Sequence, residues 1–191
     1  MEDSDEDLLD RYKAGDTGAL ALLVERYRRQ LFSFILRLSI SPSDADEVFQ
    51  EVWLRVIRKI DSYRRDSFRG WVYRITHNLA IDHIRLRQKT VSLDVPGGGH
   101  GGIWMESLPG HERSPAAALR GRELEGRIRA AVAQLPLEQR EVFLLRMEGD
   151  VPFHEIARVQ RVSINTALAR MHYALGKLRT LLHEDRQNIE S

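Results

Sequence analysis

The chain has 191 residues, 42% hydrophobic and 30% charged, enough for one ordinary domain or two small ones and too apolar for wholesale disorder. Its 29 basic and 28 acidic residues nearly cancel, and the absence of cysteine excludes disulfides, thiolate metal sites, iron–sulfur clusters and cysteine nucleophiles. No apolar run approaches the roughly 20 residues of a membrane helix and the first residues are acidic, so a soluble protein of a reducing cytoplasm, without membrane insertion, is expected.

The net charge of +1 hides a strong asymmetry. Residues 1–10 hold six acids and no base, and they open an acidic N-terminal segment over 1–16. Residues 61–90 hold seven bases against Asp61, Asp66 and Asp82, a patch that suits a polyanion. Between these, Leu20, Leu23, Val24, Tyr27, Leu31, Phe34, Ile35 and Leu38 step by three or four and predict a helix that Ser41-Pro42 stops. Ser43 is expected to cap the next helix, which carries Val48, Phe49, Val52, Trp53, Val56, Ile57 and Ile60. A third helix, over about 68–88, carries Trp71, Val72, Ile75 and Leu79.

Residues 91–120 read as a flexible connector, because Pro96 is followed by Gly97, Gly98, Gly99, Gly101 and Gly102, with Pro109-Gly110 and Pro115 beyond. After it, Leu124, Ile128, Val132 and Leu135 form one apolar stripe, and Pro136 opens a helix with Val142, Phe143 and Leu145. Short helices follow over 153–160 and from 164 to about 183. No segment alternates like a strand. The expected fold is all-α, in two bundles over 17–90 and 121–185.

The strongest local signal is Phe153-His-Glu-Ile-Ala-Arg-Val-Gln-Arg-Val-Ser-Ile-Asn-Thr-Ala-Leu-Ala-Arg-Met, a short helix, a tight turn and Ser163 as cap of a longer helix. Ile164, Ala167, Met171, Leu175, Leu178 and Leu182 are assigned to its core side. Asn165, Ala169, Arg170, His172 and Tyr173 then face outward, where a recognition helix meets base edges and phosphates. The bland alternative is a helical hairpin with a solvated face. His154-Glu155 resembles the start of a zinc-protease helix, but Arg158 stands where the second histidine ligand is required. We therefore expect no metal, no cofactor and no active site.

In the second helix, Glu47, Gln50, Glu51 and Leu54 oppose the apolar stripe, as either a solvated acidic face or a docking surface for a basic helix. Beyond it, aromatics and arginines interleave: Tyr63, Phe68, Trp71 and Tyr73 supply rings, and Arg74, Asn78 and Arg85 fall on one helical stripe. That mixture suits single-stranded bases. Phe68 and Trp71 equally suit a core.

Four blocks in order carry a resemblance: Asp44-Ala-Asp-Glu-Val-Phe-Gln-Glu-Val-Trp, Phe68-Arg-Gly-Trp-Val-Tyr-Arg-Ile-Thr-His-Asn-Leu-Ala-Ile-Asp, Leu135-Pro-Leu-Glu-Gln-Arg-Glu-Val-Phe-Leu-Leu-Arg, and the helix-turn-helix. Together they resemble an extracytoplasmic-function sigma factor, the small two-domain branch of the sigma-70 family. The resemblance implies a non-enzymatic bacterial subunit that lends core RNA polymerase its promoter specificity, melts promoter DNA and is held by an anti-sigma factor. It implies that Asp46, Glu47, Gln50 and Glu51 bind the polymerase clamp. Tyr63, Arg64, Arg65, Asp66, Ser67, Phe68, Arg74, Asn78 and Arg85 would hold the melted minus-ten strand. Asn165, Thr166, Leu168, Ala169, Arg170, His172, Tyr173 and Lys177 would read the minus-thirty-five duplex. The alternative is a free-standing helix-turn-helix regulator acting on duplex DNA alone.

Three positions depart from the family pattern. Arg161 stands where a turn glycine is usual, Pro152 where a serine cap is common, and Leu168-Ala169 where the recognition helix usually carries a polar pair. Apolar side chains can touch a thymine methyl but cannot make bidentate hydrogen bonds to a base.

Overall fold

The computed structural model describes residues 3–38, 40–64, 67–91 and 115–190, with side chains described over 3–38, 40–64, 67–87 and 124–183. The described residues form eight α-helices and no strand. The connector residues 92–114 lie outside the described residues.

The first helix, α1 (Asp5–Lys13), occupies the segment read from sequence only as acidic. Its start is a capping box: Ser4 Oγ accepts the Asp7 N–H at 3.2 Å, and Asp7 accepts the Ser4 N–H at 3.0 Å. Three acids in the first turn and Arg11 and Lys13 in the last complement the helix dipole. Leu8 and Leu9 are its anchors, both fully buried against α2 (Thr17–Arg37), whose cap is Asp16.

Helix α3 (Pro42–Lys59) begins two residues earlier than expected. Ser41, not Ser43, is the cap, because Pro42 at the first helical position has no N–H to lose and its fixed φ suits a helix start. A short 3-10 turn over Ile60–Ser62 then leads to α4 (Phe68–Val91). Helices α2, α3 and α4 pack on one another around Leu23, Leu31, Val52, Val56 and Val72. Phe34 of α2 meets Tyr73 of α4 edge to face at 4.9 Å and 79°, a geometry worth about 0.5–1.5 kcal/mol beyond area burial.

The second bundle is α5 (Pro115–Ala133), α6 (Leu137–Met147), α7 (Phe153–Gln160) and α8 (Ile164–Glu190), with the first three packed on α8. Helix α5 begins inside the stretch assigned to the connector, since Pro115 suits a first turn and Ala116, Ala117, Ala118 and Leu119 are strong helix formers. Its apolar stripe is only half buried. Val132 and Leu135 are in the core, whereas Leu124 and Ile128 are exposed. On α8 the buried stripe is Ala167, Met171, Ala174 and Leu178; Ile164 and Leu175, expected in the core, are exposed. The buried stripe thus runs through the small residues Ala167 and Ala174 and leaves the two larger flanking residues outside it.

The two bundles touch through α4 and α6, and through α2 and α5. At this seam Arg140, 9% exposed, donates to the Ala133 carbonyl, to the Leu135 carbonyl at 3.0 Å and to the Arg37 carbonyl at 3.5 Å. It thereby satisfies carbonyls that the end of α5 leaves open.

Candidate nucleic-acid interface

The helix-turn-helix is built as its sequence requires. Helix α7 ends at Arg161, whose φ of 56° and ψ of 44° are left-handed. The Arg161 and Val162 N–H groups close the helix by donating to the Arg158 carbonyl at 3.2 Å and the Ala157 carbonyl at 2.9 Å. Pro152 opens α7 without a side-chain cap. Ser163 Oγ accepts the Thr166 N–H at 3.1 Å and so starts α8.

Asn165, Thr166, Leu168, Ala169, His172, Tyr173 and Lys177 are exposed along α8, on one accessible surface, with Tyr173 63% and Leu168 44% exposed. Arg170 is the correction. It is half-buried, and its Nη1 donates to Gln160 Oε1 at 2.8 Å. Gln160 in turn donates to Glu141 Oε2 at 2.7 Å and to the Glu138 carbonyl at 3.0 Å. Position 170 borders the buried stripe, so the long side chain folds back onto α7 instead of projecting outward.

On α3, Asp46, Glu47 and Gln50 are exposed, and neither Asp46 nor Glu47 meets a cation among the described residues. Glu51 is half-buried, 3.2 Å from Arg55 and 4.0 Å from Arg58. Beside these acids, Val24, Phe49, Trp53, Leu54 and Ile57 line a shallow apolar groove that Gln50 also borders. Leu54 is 47% exposed there. The face thus combines negative charge with an open apolar strip.

The ring-rich segment divides into core and surface. Tyr63, Phe68 and Tyr73 are buried. Phe68 meets Tyr27 and Tyr63 edge to face at 5.5 and 6.0 Å, and the Tyr63 hydroxyl donates to Glu6 Oε1 at 2.6 Å. Burial and the glutamate neighbour Glu148 push the Tyr73 phenol up to about 12. Tyr63 and Phe68, assigned to DNA from sequence, are therefore packing residues, because the ring cluster also needs the edge of α1. Ser67 is exposed but serves α4: its hydroxyl accepts the Gly70 N–H at 3.1 Å. Arg64, Asn78 and Arg85 are exposed; Arg65 and Asp66 lie outside the described residues.

Arg74 is half-buried and paired with Glu155 of α7, so it is not free toward solvent. Three more contacts between the bundles were not anticipated. His77 Nε2 lies 3.4 Å from Glu141 Oε2, Arg37 pairs with Glu148, and Arg69 Nε donates to the Glu148 carbonyl at 2.8 Å. Burial alone would raise the Glu141 carboxyl, but His77, Gln160 and Arg170 beside it bring it below the ordinary glutamate range. At Glu148 burial wins and the carboxyl is raised, although Arg37 and Arg69 pull the other way. Nothing in the linear pattern signals these pairs, since their partners stand 64–111 residues apart. Among the described residues no group of histidines, aspartates or glutamates is placed to hold a metal ion, and no helix is long and apolar enough to cross a membrane.

Comparison with known proteins matches two family models, sigma-70 region 2 over residues 23–90 and sigma-70 region 4 over residues 125–178. The chain is 29% identical to the ECF RNA polymerase sigma factor SigW of Bacillus subtilis, covering 90% of this chain and 93% of that one. It is 27% identical to the RNA polymerase sigma-H factor of Pseudomonas aeruginosa, with 91% of each covered, and 27% identical to the ECF sigma-E factor of Escherichia coli K12, with 90% of each covered. Two solved structures share the fold: CnrH in complex with the cytosolic domain of CnrY (TM-score 0.61, 23% identity, 96% and 99% covered), and RpoE with the anti-sigma factor NepR from Bartonella quintana (TM-score 0.61, 21% identity, 85% and 96% covered).

Proposed function

Since the chain belongs to the sigma-70 family, in its extracytoplasmic-function branch, and its function is that of a sigma factor, we propose a division of labour among its surfaces. The bundle over residues 17–90 engages core RNA polymerase and the opened minus-ten element. The bundle over residues 121–185 reads the minus-thirty-five duplex. The segment over residues 91–120 spans the two.

Within the first bundle, Asp46, Glu47, Gln50 and the groove beside Trp53 and Leu54 take a basic amphipathic helix of the polymerase. Arg64, Arg65, Asp66, Arg74, Asn78 and Arg85 take the displaced strand, and Tyr63, Phe68 and Ser67 hold the loop in shape. Within the second, the exposed surface of α8 from Asn165 to Lys177 enters the major groove with the free N–H groups of its first turn toward phosphate. The protein works in the cytoplasm beside the polymerase, has no chemistry of its own, and is held inactive by an anti-sigma factor.

The observation that carries this reading is the presence in one chain of a helix-turn-helix and, on a separate bundle, an exposed acidic-apolar face beside an arginine-bearing helix. A free-standing regulator has no use for the second feature. The test is reconstitution with core polymerase and a library of randomised promoters. Specific transcripts that require this chain are the expected result; binding of duplex DNA without core binding would reverse the conclusion.

A further inference from the structure

Residues 156–183 contain no aspartate or glutamate but five bases, Arg158, Arg161, Arg170, Lys177 and Arg179. A polyanion is the partner that such a stretch fits. Four of the bases are exposed and fall into two groups, Arg158 and Arg161 ahead of α8, and Lys177 and Arg179 further along it. The fifth, Arg170, is drawn back onto Gln160. Between the two groups the exposed surface carries an apolar strip: Ile164 is 46% exposed and Leu168 44%, with exposed Ala169 beside them. Ile164 and Leu168 stand one helical turn apart and so share a face. Ile164 is also the first residue of α8, and the N-terminal residues of a recognition helix are the ones that reach base edges.

We infer that Ile164 and Leu168 form a methyl-reading strip that selects neighbouring thymines in the minus-thirty-five duplex. This inference rests on the reading of α8 as the helix that enters the major groove. Thymine is the base that presents a methyl group there, and it is the feature an aliphatic side chain can recognise. A guanine or cytosine held against the same side chains loses water from its polar edge and gains no hydrogen-bond partner. One helical turn advances about 6 Å along the axis. That matches roughly two steps of 3.4 Å along a DNA strand, so the strip addresses two neighbouring A·T pairs. The cations on either side of it take phosphates, which supply affinity without sequence information.

The test uses core polymerase reconstituted with the full chain and a promoter library randomised over the minus-thirty-five element. Neighbouring thymines should be enriched among the selected promoters. One selected promoter is then remade with deoxyuridine at those thymines, which removes the methyl groups alone, and separately at thymines outside the element. The holoenzyme should bind the element about fourfold more weakly for each methyl lost, the worth of one buried carbon, and should not respond to the outside replacements. Ile164→Ala/Leu168→Ala should bind the thymine and deoxyuridine elements equally. Leu124→Ala, the same truncation at an exposed leucine of α5, should keep the discrimination of the parent. All three side chains are exposed, so thermal unfolding should show each variant folded. A minus-thirty-five preference that survives deoxyuridine unchanged would overturn the methyl readout while leaving α8 as the reader. Discrimination that persists in Ile164→Ala/Leu168→Ala would overturn the assignment to these two residues. Weaker binding of that variant to core polymerase without DNA would make the strip a protein-docking surface and overturn the proposal. A library with no minus-thirty-five preference would overturn the reading of α8 and the proposal with it.

Discussion

The Tyr63 hydroxyl donates to Glu6 Oε1 at 2.6 Å, tying helix α1 to the loop before α4. Tyr63→Phe should destabilise the protein by about 0.5–1.5 kcal/mol, the usual net worth of a hydrogen bond, in urea unfolding. Because Tyr63 is a packing residue, promoter preference in a randomised minus-ten library should not change.

The acidic face of α3 is open to a direct test. Asp46→Arg with Glu47→Arg alters two exposed residues, so stability should stay within about 0.5 kcal/mol. Affinity for core polymerase should fall at least tenfold in a binding titration. Undiminished affinity would remove α3 from the polymerase interface.

On α8 the roles of two neighbours should separate. His172→Ala should shift the preferred minus-thirty-five sequence by roughly 1–3 kcal/mol at one base pair, since the side chain is exposed on the face proposed to meet bases. Arg170→Ala should instead lower the melting temperature and reduce use of every promoter about equally, because it braces α8 to Gln160. Transcription from a randomised library, with thermal unfolding of each variant, reads both.

The carboxyl of Glu141 lies below the ordinary glutamate range in the folded chain, so it binds fewer protons folded than unfolded near its titration. Its contribution is present above the unfolded pKa and lost as pH falls through the lowered folded one. Glu141→Gln should therefore cost about 1–3 kcal/mol near neutrality, the penalty for unmaking buried polar contacts. The gap from the parent should close as pH falls below the carboxylate range in thermal melts.

Arg161 occupies a left-handed conformation at φ 56°. Arg161→Gly should raise stability by up to about 1 kcal/mol in urea unfolding, the relief of the L-residue penalty less the extra freedom glycine has when unfolded.

Local signals were legible in the sequence where each residue's neighbours along the chain decide its state. The Ser163 cap and the helical period of α2 and α3 are of this kind, whereas Arg161 stood out only against the family pattern. The helix α1 was equally local, since Ser4 and Asp7 spell a capping box, but its acidic composition concealed the pair of leucines that anchor it. Burial of Tyr63 and the inward turn of Arg170 depend on contacts from elsewhere, α1 in one case and α7 in the other. Periodicity marks which face of a helix is apolar; it does not mark which arginine finds a glutamate 81 residues away.

That separation also orders events during synthesis. Arg74 leaves the ribosome 81 residues ahead of Glu155, about 4–16 s earlier at ~5–20 residues per second. Through that interval Arg74 of the nascent first bundle stands without Glu155, the carboxylate that later pairs with it. Each newly made molecule thus passes once through an uncovered stage, when nearby polyanions compete for Arg74 before its own chain can.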